Sequence, residues 1–262
     1  MKGRRFPTGE AIRIKSPEEI EGIRRAGRVL AKVLKAVASV VLPGVSTAEL
    51  DEYAERLIRE AGARPAFKGY KGYQWATCIC INEEVLHGIP RKSRRIREGD
   101  IVSIDIGVEL EGFYADASKT VMVGKVPRRV RRLVRVAEEA LYKAIEQAVP
   151  GNRVGAISHA IERHVLTSGF DVVREFVGHG VGLELHEEPQ IPNYGEPDEG
   201  PLLEPGMTLA IEVMAVMGRP EVLVLSDGWT VVTADGKPAA HFEHTVAVTE
   251  KGPEILTGGE DK

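Results

Sequence analysis

Glu98-Gly99-Asp100-Ile101-Val102-Ser103-Ile104-Asp105 places a glycine turn ahead of an apolar run, with one carboxylate inside that run. The same pattern returns in Pro205-Gly206-Met207-Thr208-Leu209-Ala210-Ile211-Glu212. Gly99 and Gly206 are separated by an offset of 107 (206 − 99), and Asp105 and Glu212 by the same offset (212 − 105). Pro43-Gly44 and Pro150-Gly151 share it too (150 − 43 = 107). Each of these prolines precedes a second glycine at one spacing, Gly62 after Pro43 (62 − 43 = 19) and Gly169 after Pro150 (169 − 150 = 19). Both segments read as a turn, a cap, an amphipathic helix and a terminating glycine. Landmarks that recur at one offset mark an internal repeat. They predict two related halves, each of helix, helix and strands, packed as one domain over 1–262.

Outward from the repeat, the helix signals are local and specific. Ser16-Pro17-Glu18-Glu19 combines an N-cap serine, proline at the first helical position and glutamate three residues after the cap. An apolar stripe follows at helical spacing: Ile20, Ile23, Ala26, Gly27, Leu30, Val33, Leu34 and Val37. Ser46 and Glu49 form a second capping box. Arg128 to Val149 reads as one long helix, with Val130, Leu133, Val134, Ala137, Leu141 and Ile145 on one side. Residues 1–15 read as a short lead, and those from about 257 as a flexible tail.

The composition, 43% hydrophobic and 28% charged over 262 residues, is that of an ordinary globular chain. A net charge of −4 argues against coating nucleic acid through global charge. No apolar run approaches the ~20 residues that span a bilayer, so no membrane partner is expected. The start, Met1 to Pro7, lacks the apolar core of a signal peptide. Cys78 and Cys80 are the two cysteines, at i and i+2 of an apparent strand, poorly placed to bridge. A reducing, cytoplasmic compartment is therefore expected, and a thiolate metal site is excluded.

Acids inside apolar strands need a reason, because burying a charge is costly. Asp105 and Asp116 flank the turn Glu109-Leu110-Glu111-Gly112. In an unbulged hairpin with an even loop, residues an odd number apart share a face, so the two should converge. Glu212 holds the equivalent place in the second half, and Glu243 lies in another apolar strand, His241 to Val248. Four converging acids cannot all stay ionised without cations. Four carboxylates and one neutral imidazole are balanced by two divalent cations, and an oxygen-rich site of this kind suits Mn, Fe, Co or Zn. Such a pair would share a bridging hydroxide as nucleophile and polarise a carbonyl, which predicts hydrolysis. His179 and His186 stand seven apart in Gly178-His179-Gly180-Val181-Gly182-Leu183-Glu184-Leu185-His186. Taken alone, His87, His159, His164, His241 and His244 read as ordinary histidines.

The ordered set His87, Asp105, Asp116, His179, His186, Glu212 and Glu243 resembles that of type I methionine aminopeptidase. The strings 82–90, 103–120, 178–190 and 227–232 are also similar, and the resemblance runs from Ser16 to the last strand. It implies an α+β fold of the pita-bread kind, a curved antiparallel sheet backed by helices with pseudo-twofold halves. It also implies a function: removal of the initiator methionine from nascent proteins when the second residue is small. Asp105, Asp116, His179, Glu212 and Glu243 resemble the family's metal ligands for two divalent ions, with Asp116 and Glu243 as the bridging pair. Glu212 would also shuttle the proton. His186 resembles the donor to the scissile carbonyl, and His87 the residue facing the leaving nitrogen. Tyr70, Tyr73, Cys78 and Trp229 are implied walls of a methionine pocket. Leu185 stands where bacterial members usually carry an aromatic, which leaves that pocket's shape open.

Two other readings stay open: a proline-directed relative of the same fold, and a non-catalytic binding protein. The stretch from Glu212 to Glu243 is too short for the helical insert of type II enzymes. The basic runs 91–97 and 128–132 are either solvated surface or a weak contact with ribosomal RNA. A monomer is expected.

Overall fold

The computed structural model describes residues 11–259. Both capping boxes close as their spacing requires. Ser16 Oγ accepts from the Glu19 amide at 3.2 Å, and Glu19 Oε2 accepts from the Ser16 amide at 2.7 Å. This starts α1 (Pro17–Ser39); the same exchange between Ser46 and Glu49 starts α2 (Thr47–Glu60). α3 (Arg128–Ile145) stops short of the expected Val149. Pro150 ahead disfavours helical backbone in the residue before it, and the chain turns instead over 146–151. α4 is Val154–Thr167.

The strands are β1 (Arg64–Pro65), β2 (Thr77–Ile81), β3 (Glu84–Leu86), β4 (Ile101–Leu110), β5 (Phe113–Met122), β6 (Asp171–Val172), β7 (Val177–Gly180), β8 (Glu187–Pro192), β9 (Thr208–Val216), β10 (Val222–Val224), β11 (Val231–Thr233), β12 (Ala239–Thr249) and β13 (Gly252–Ile255). The main sheet runs β1-β4-β5-β12-β9-β7-β8, with β2 beside β4, β13 beside β12 and β6 beside β9. Its pairings are antiparallel. A small second sheet, β10-β11-β3, sits apart from it.

The repeat is legible bond by bond. α2 and α4 have equal length, and their first residues, Thr47 and Val154, keep the offset (154 − 47 = 107). Ser46 bridges Arg95 and, at the same offset, Arg153 bridges Leu202. The Gly44 amide donates to Ile96 O, and the Gly151 amide to Leu203 O. Gly99 and Gly206, the turns ahead of β4 and β9, take φ of +91° and +95°, a left-handed backbone that glycine adopts at least cost. Each half has its own apolar core. α1 and α2 bury Leu30, Val37 and Ile58 with Ile79 and Ile104; α3 and α4 bury Leu133, Leu141 and Ile161 with Leu209 and Val213. The α+β, pita-bread arrangement of two related halves is thus present.

The halves differ at one connection. β4 and β5 are joined by Glu111 and Gly112 alone, whereas 217–238 join β9 to β12 and carry β10 and β11. The seam between halves, β5 against β12, has ladder pairing only at Glu243–Ser118 and His244–Ala117. Threonines extend it: Thr245 exchanges two hydrogen bonds with the Asp116 backbone, and Thr120 exchanges two with the His241 backbone.

Both ends of the described chain are anchored. Thr257, where the expected tail begins, is buried, and its hydroxyl is shared with His244 Nδ1 (2.8 Å) and the Thr245 amide (3.1 Å). Leu256 O lies only 2.3 Å from where a Cβ on Gly27 would stand, so a side chain at 27 would collide with this segment. At the other end Lys15, two residues before α1, is buried. Residues 1–10 and 260–262 lie outside the described residues.

Candidate metal centre

Strand register puts five side chains on one face of adjoining strands. In the β4–β5 ladder Asp105 opposes Ser118 and Asp116 opposes Gly107, so the two aspartates are diagonal neighbours on one face. Glu243 opposes both Ser118 on β5 and Glu212 on β9. His179 on β7 opposes Ala210, two residues from Glu212. Five consecutive strands, β4-β5-β12-β9-β7, therefore deliver Asp105, Asp116, Glu243, Glu212 and His179 to one place. All five are buried.

One oxygen from each of Asp116 and Glu243 and one nitrogen of His179 lie within 4.8 Å of one another. His179 Nε2 is 4.0 Å from Asp116 Oδ2, while its Nδ1 faces Gly180 O at 2.9 Å. That second contact fixes the tautomer and leaves Nε2 free to ligate. Asp105 Oδ1, Asp116 Oδ1 and Glu243 Oε1 are buried without hydrogen-bond partners. Burial, and then mutual repulsion, raises the carboxyls of Asp116 and Glu243 well above their ordinary range. Burial brings Asp105 to about 7, with His241 opposing and Glu212 adding to the rise. Buried polar atoms normally find partners. Orphaned oxygens on crowded acids, with a neutral imidazole beside them, are the donor set that hard or borderline divalent cations satisfy. The residues present fit two such ions.

The cluster floors a cavity of about 170 Å³ that all twelve expected site residues line, joined by Phe67, Lys71 and Leu86. Its apolar wall is a packed group of Phe67, Tyr73, Cys78 and Leu185 with Tyr70 and Trp229 against it. Tyr73 meets Trp229 edge to face at 5.0 Å and donates its hydroxyl to Thr77 O at 2.8 Å. Burial, then Asp105, raises the Cys78 thiol, so it stays neutral as a wall. Asp51 on α2 holds the start of β2 by accepting from the Ala76 and Thr77 amides and the Thr77 hydroxyl.

His186 stacks on Tyr70 at 4.9 Å and lies 4.2 Å, centroid to centroid, from His179. Burial, and then the nearness of His179 and Lys71, lowers it to about 3, so it remains a neutral hydrogen-bonding imidazole. His87 has left-handed backbone (φ +54°), and its ring meets the edges of Phe176 and Trp229. Burial lowers it too. Gly88 beside it approaches the Ile79 carbonyl so closely that a Cβ would sit 2.3 Å from that oxygen.

Besides Lys71 and Leu86, three residues of the site escaped the sequence reading. His241 is buried with Nε2 at 3.3 Å from Glu212 Oε2 and 4.0 Å from Glu243 Oε2. Strand alternation held the signal, since His241 and Glu243 are two apart. Asn193 Oδ1 accepts the Met214 amide and its Nδ2 donates to Glu212 O, clasping the backbone that carries Glu212. Phe67 fills the space above Gly107. Of the other histidines, His159 and His164 make only peripheral contacts, with Gly195 O and Glu139.

Comparison with known proteins agrees with this geometry. The pattern of Metallopeptidase family M24 matches residues 21–250. Methionine aminopeptidase 1 of Bacillus subtilis is 51% identical over 243 residues, covering 93% of this chain and 98% of that protein. The methionine aminopeptidase of Escherichia coli K12 is 46% identical, covering 94% of each. The crystal structure of a methionine aminopeptidase from Thermotoga maritima superposes with a TM-score of 0.93 at 50% identity, covering 94% of this chain and 99% of that one. A prolidase from Pyrococcus horikoshii also shares the fold, at TM-score 0.77 and 27% identity, but this chain spans only 64% of it.

Proposed function

The chain belongs to the methionine aminopeptidases of metallopeptidase family M24, and on that premise we propose how its residues remove an initiator methionine from new polypeptides. The observation that carries the reading is one cavity with two unlike walls. Five side chains able to ligate metal, three of them carrying orphaned oxygens, face an apolar wall across a cavity of about 170 Å³.

Asp105, Asp116, His179, Glu212 and Glu243 would hold two divalent cations, which supply Lewis acidity and an activated water. Asp116 and Glu243, from the two sides of the seam, are the residues suited to serve both ions. The methionine side chain enters between Tyr70, Tyr73, Cys78, Leu185 and Trp229, whose unbranched, polarizable guest needs no polar partner there. Leu185 supplies the wall by aliphatic packing rather than an aromatic ring. His186, neutral, donates from its ring to the carbonyl oxygen as that oxygen gains charge. His87 faces the departing amide nitrogen, and Glu212 moves a proton from the attacking water toward it through its carboxylate. The second residue would lie beside His87, close to the ions, where a small side chain is expected to be preferred.

The enzyme is expected to work in the cytoplasm. Both cysteines are free and buried, and no described helix is long and apolar enough to cross a membrane. We take it to act as a monomer. Arg91, Arg94 and Arg95 are engaged with Asp227, Glu83, Glu84 and Glu49, so they are poorly placed to bind phosphate. Arg128, Arg129 and Arg132 line a surface hollow beside Ser168 and Phe170, and any weak, salt-sensitive ribosome contact should use these.

Metal-loaded protein should release methionine from Met-Ala-Ser and leave Ala-Pro intact. Comparable kcat/KM on both would move the assignment to the proline-directed branch.

A further inference from the structure

His186 and Leu185 lie in a turn, 183–187, and that turn is held from below by a single carboxylate. Glu187 Oε1 accepts the backbone amides of Leu183 (2.7 Å) and Glu184 (3.0 Å). Its other oxygen, Oε2, accepts from Lys15 Nζ at 2.5 Å, with the two side chains 1% and 3% exposed. Lys15 is itself anchored. Its amide donates to Gly206 O at 2.8 Å, at the turn feeding β9, and its ammonium also donates to Arg13 O at 3.2 Å. Further out, Arg13 pairs with Glu184 at the surface.

Residues ahead of α1 thus grip the histidine turn at two places, 171 and 172 positions away in sequence. A buried ion pair is a poor device for stability, because desolvating both charges offsets their attraction, but it specifies one geometry. Here the geometry it specifies carries a pocket wall and the carbonyl donor.

We propose that Lys15 is a positioning residue for His186 and Leu185, so that the segment preceding α1 is part of the catalytic apparatus. The inference rests on the role given to His186 above. Without Lys15 the Glu187 carboxylate is left buried and unpaired, and it swings or draws in water. The amides of Leu183 and Glu184 then lose their acceptor, and His186 drifts from the substrate oxygen. Misplacement of a donor by about 1 Å costs on the order of 10²-fold in rate.

The test uses the metal-loaded, full-length enzyme with Lys15→Met, Lys15→Arg, Glu187→Gln, His186→Ala and the double variant Lys15→Met/His186→Ala. Three quantities are read: bound metal per chain, kcat and KM on Met-Ala-Ser, and hydrogen exchange at the Leu183 and Glu184 amides. Lys15→Met should keep its metal, lose about 10–10²-fold in kcat with a smaller change in KM, and exchange faster at both amides. Lys15→Arg should recover part of the loss. In the His186→Ala background Lys15→Met should cost nearly nothing further, because it acts through that imidazole. Additive losses, or unchanged exchange at 183 and 184, would overturn the proposal. Should Lys15→Met not fold, Glu187→Gln carries the same test. Full activity in His186→Ala would instead strike the role given to His186, while the exchange data still decide whether Lys15 holds the turn.

Discussion

Replacing Asp105 by Asn should make the metal-free protein more stable while destroying its purpose. In the folded, metal-free chain the Asp105 carboxyl rises from the ordinary 3.8 to about 7, chiefly through burial. A raised acid weakens the fold wherever it must ionise: the penalty is absent below 3.8, grows as pH rises, and is complete above about 7. At 1.36 kcal/mol per pH unit, that interval corresponds to about 4 kcal/mol at pH 7. Asn keeps the shape and can donate to Asp116, so the variant removes the penalty without opening a cavity. Urea unfolding in chelator should therefore show Asp105→Asn more stable than wild type by about 2–4 kcal/mol at pH 7, and by under about 1 kcal/mol at pH 4. Saturating cation should reverse the order, since ligand at about 1,000 times its Kd adds about 4 kcal/mol to the chain that binds it. If the variant is no more stable than wild type in chelator at pH 7, the crowded-acid account of the centre is wrong.

Further outcomes follow from the same geometry. His186→Ala should lose roughly 10²–10³ in kcat while retaining its metal, whereas His179→Ala loses both; paired metal analysis and kinetics on Met-Ala-Ser decide this. Activity should fall on acidification, as protons compete with cations for the raised carboxyls of Asp105, Asp116 and Glu243, and excess metal should restore it. His186, neutral down to about 3, cannot be the source of that limb, so a loss that excess metal leaves untouched would contradict the assignment. Met-Ala peptides should be cleaved far faster than Met-Arg peptides; equal kcat/KM would mean that the space beside His87 is not the second-residue site.

The duplicated frame was legible because its signals are local. Capping boxes, glycine turns and strand carboxylates lie within a few residues of what they control, and one offset repeats them. Register then carried the acids: an odd spacing across a tight turn sets Asp105 and Asp116 on one face, and the ladder has that register. His241 was readable by the same alternation from Glu243, but lone histidines in strands are ordinarily core residues, and nothing nearby marked this one. Phe67, Asn193 and Lys15 act through contacts set by the tertiary fold. Lys15 in particular meets a carboxylate 172 positions away, and neither residue's neighbours announce it. The end of α3 was misjudged because apolar periodicity continued past Ile145, where proline chemistry overruled it.

Duplication and asymmetry divide the labour of the site. The two hairpin-like pairs, β4–β5 and β9–β12, each give two of the four carboxylates, so the metal floor belongs to what the halves share. Most of the pocket wall lies within the halves as well, Cys78 and Leu185 standing at the repeat offset (185 − 78 = 107), but Trp229 belongs to what they do not share. The long connection 217–238, which has only Glu111 and Gly112 as its counterpart in the first half, forms β10 and β11, and β11 pairs with β3 of the other half at Leu86. That pairing sets Trp229, just before β11, beside His87, just after β3. Arg91 and Asp227 tie the same two connections together, and the Asp227 carboxylate also accepts the Trp229 and Thr230 amides. The symmetric frame alone would be a cation site open to any peptide terminus. The inserted hairpin places an indole on one side of it, and on the proposed reading that wall is what gives a general hydrolytic floor its preference for methionine.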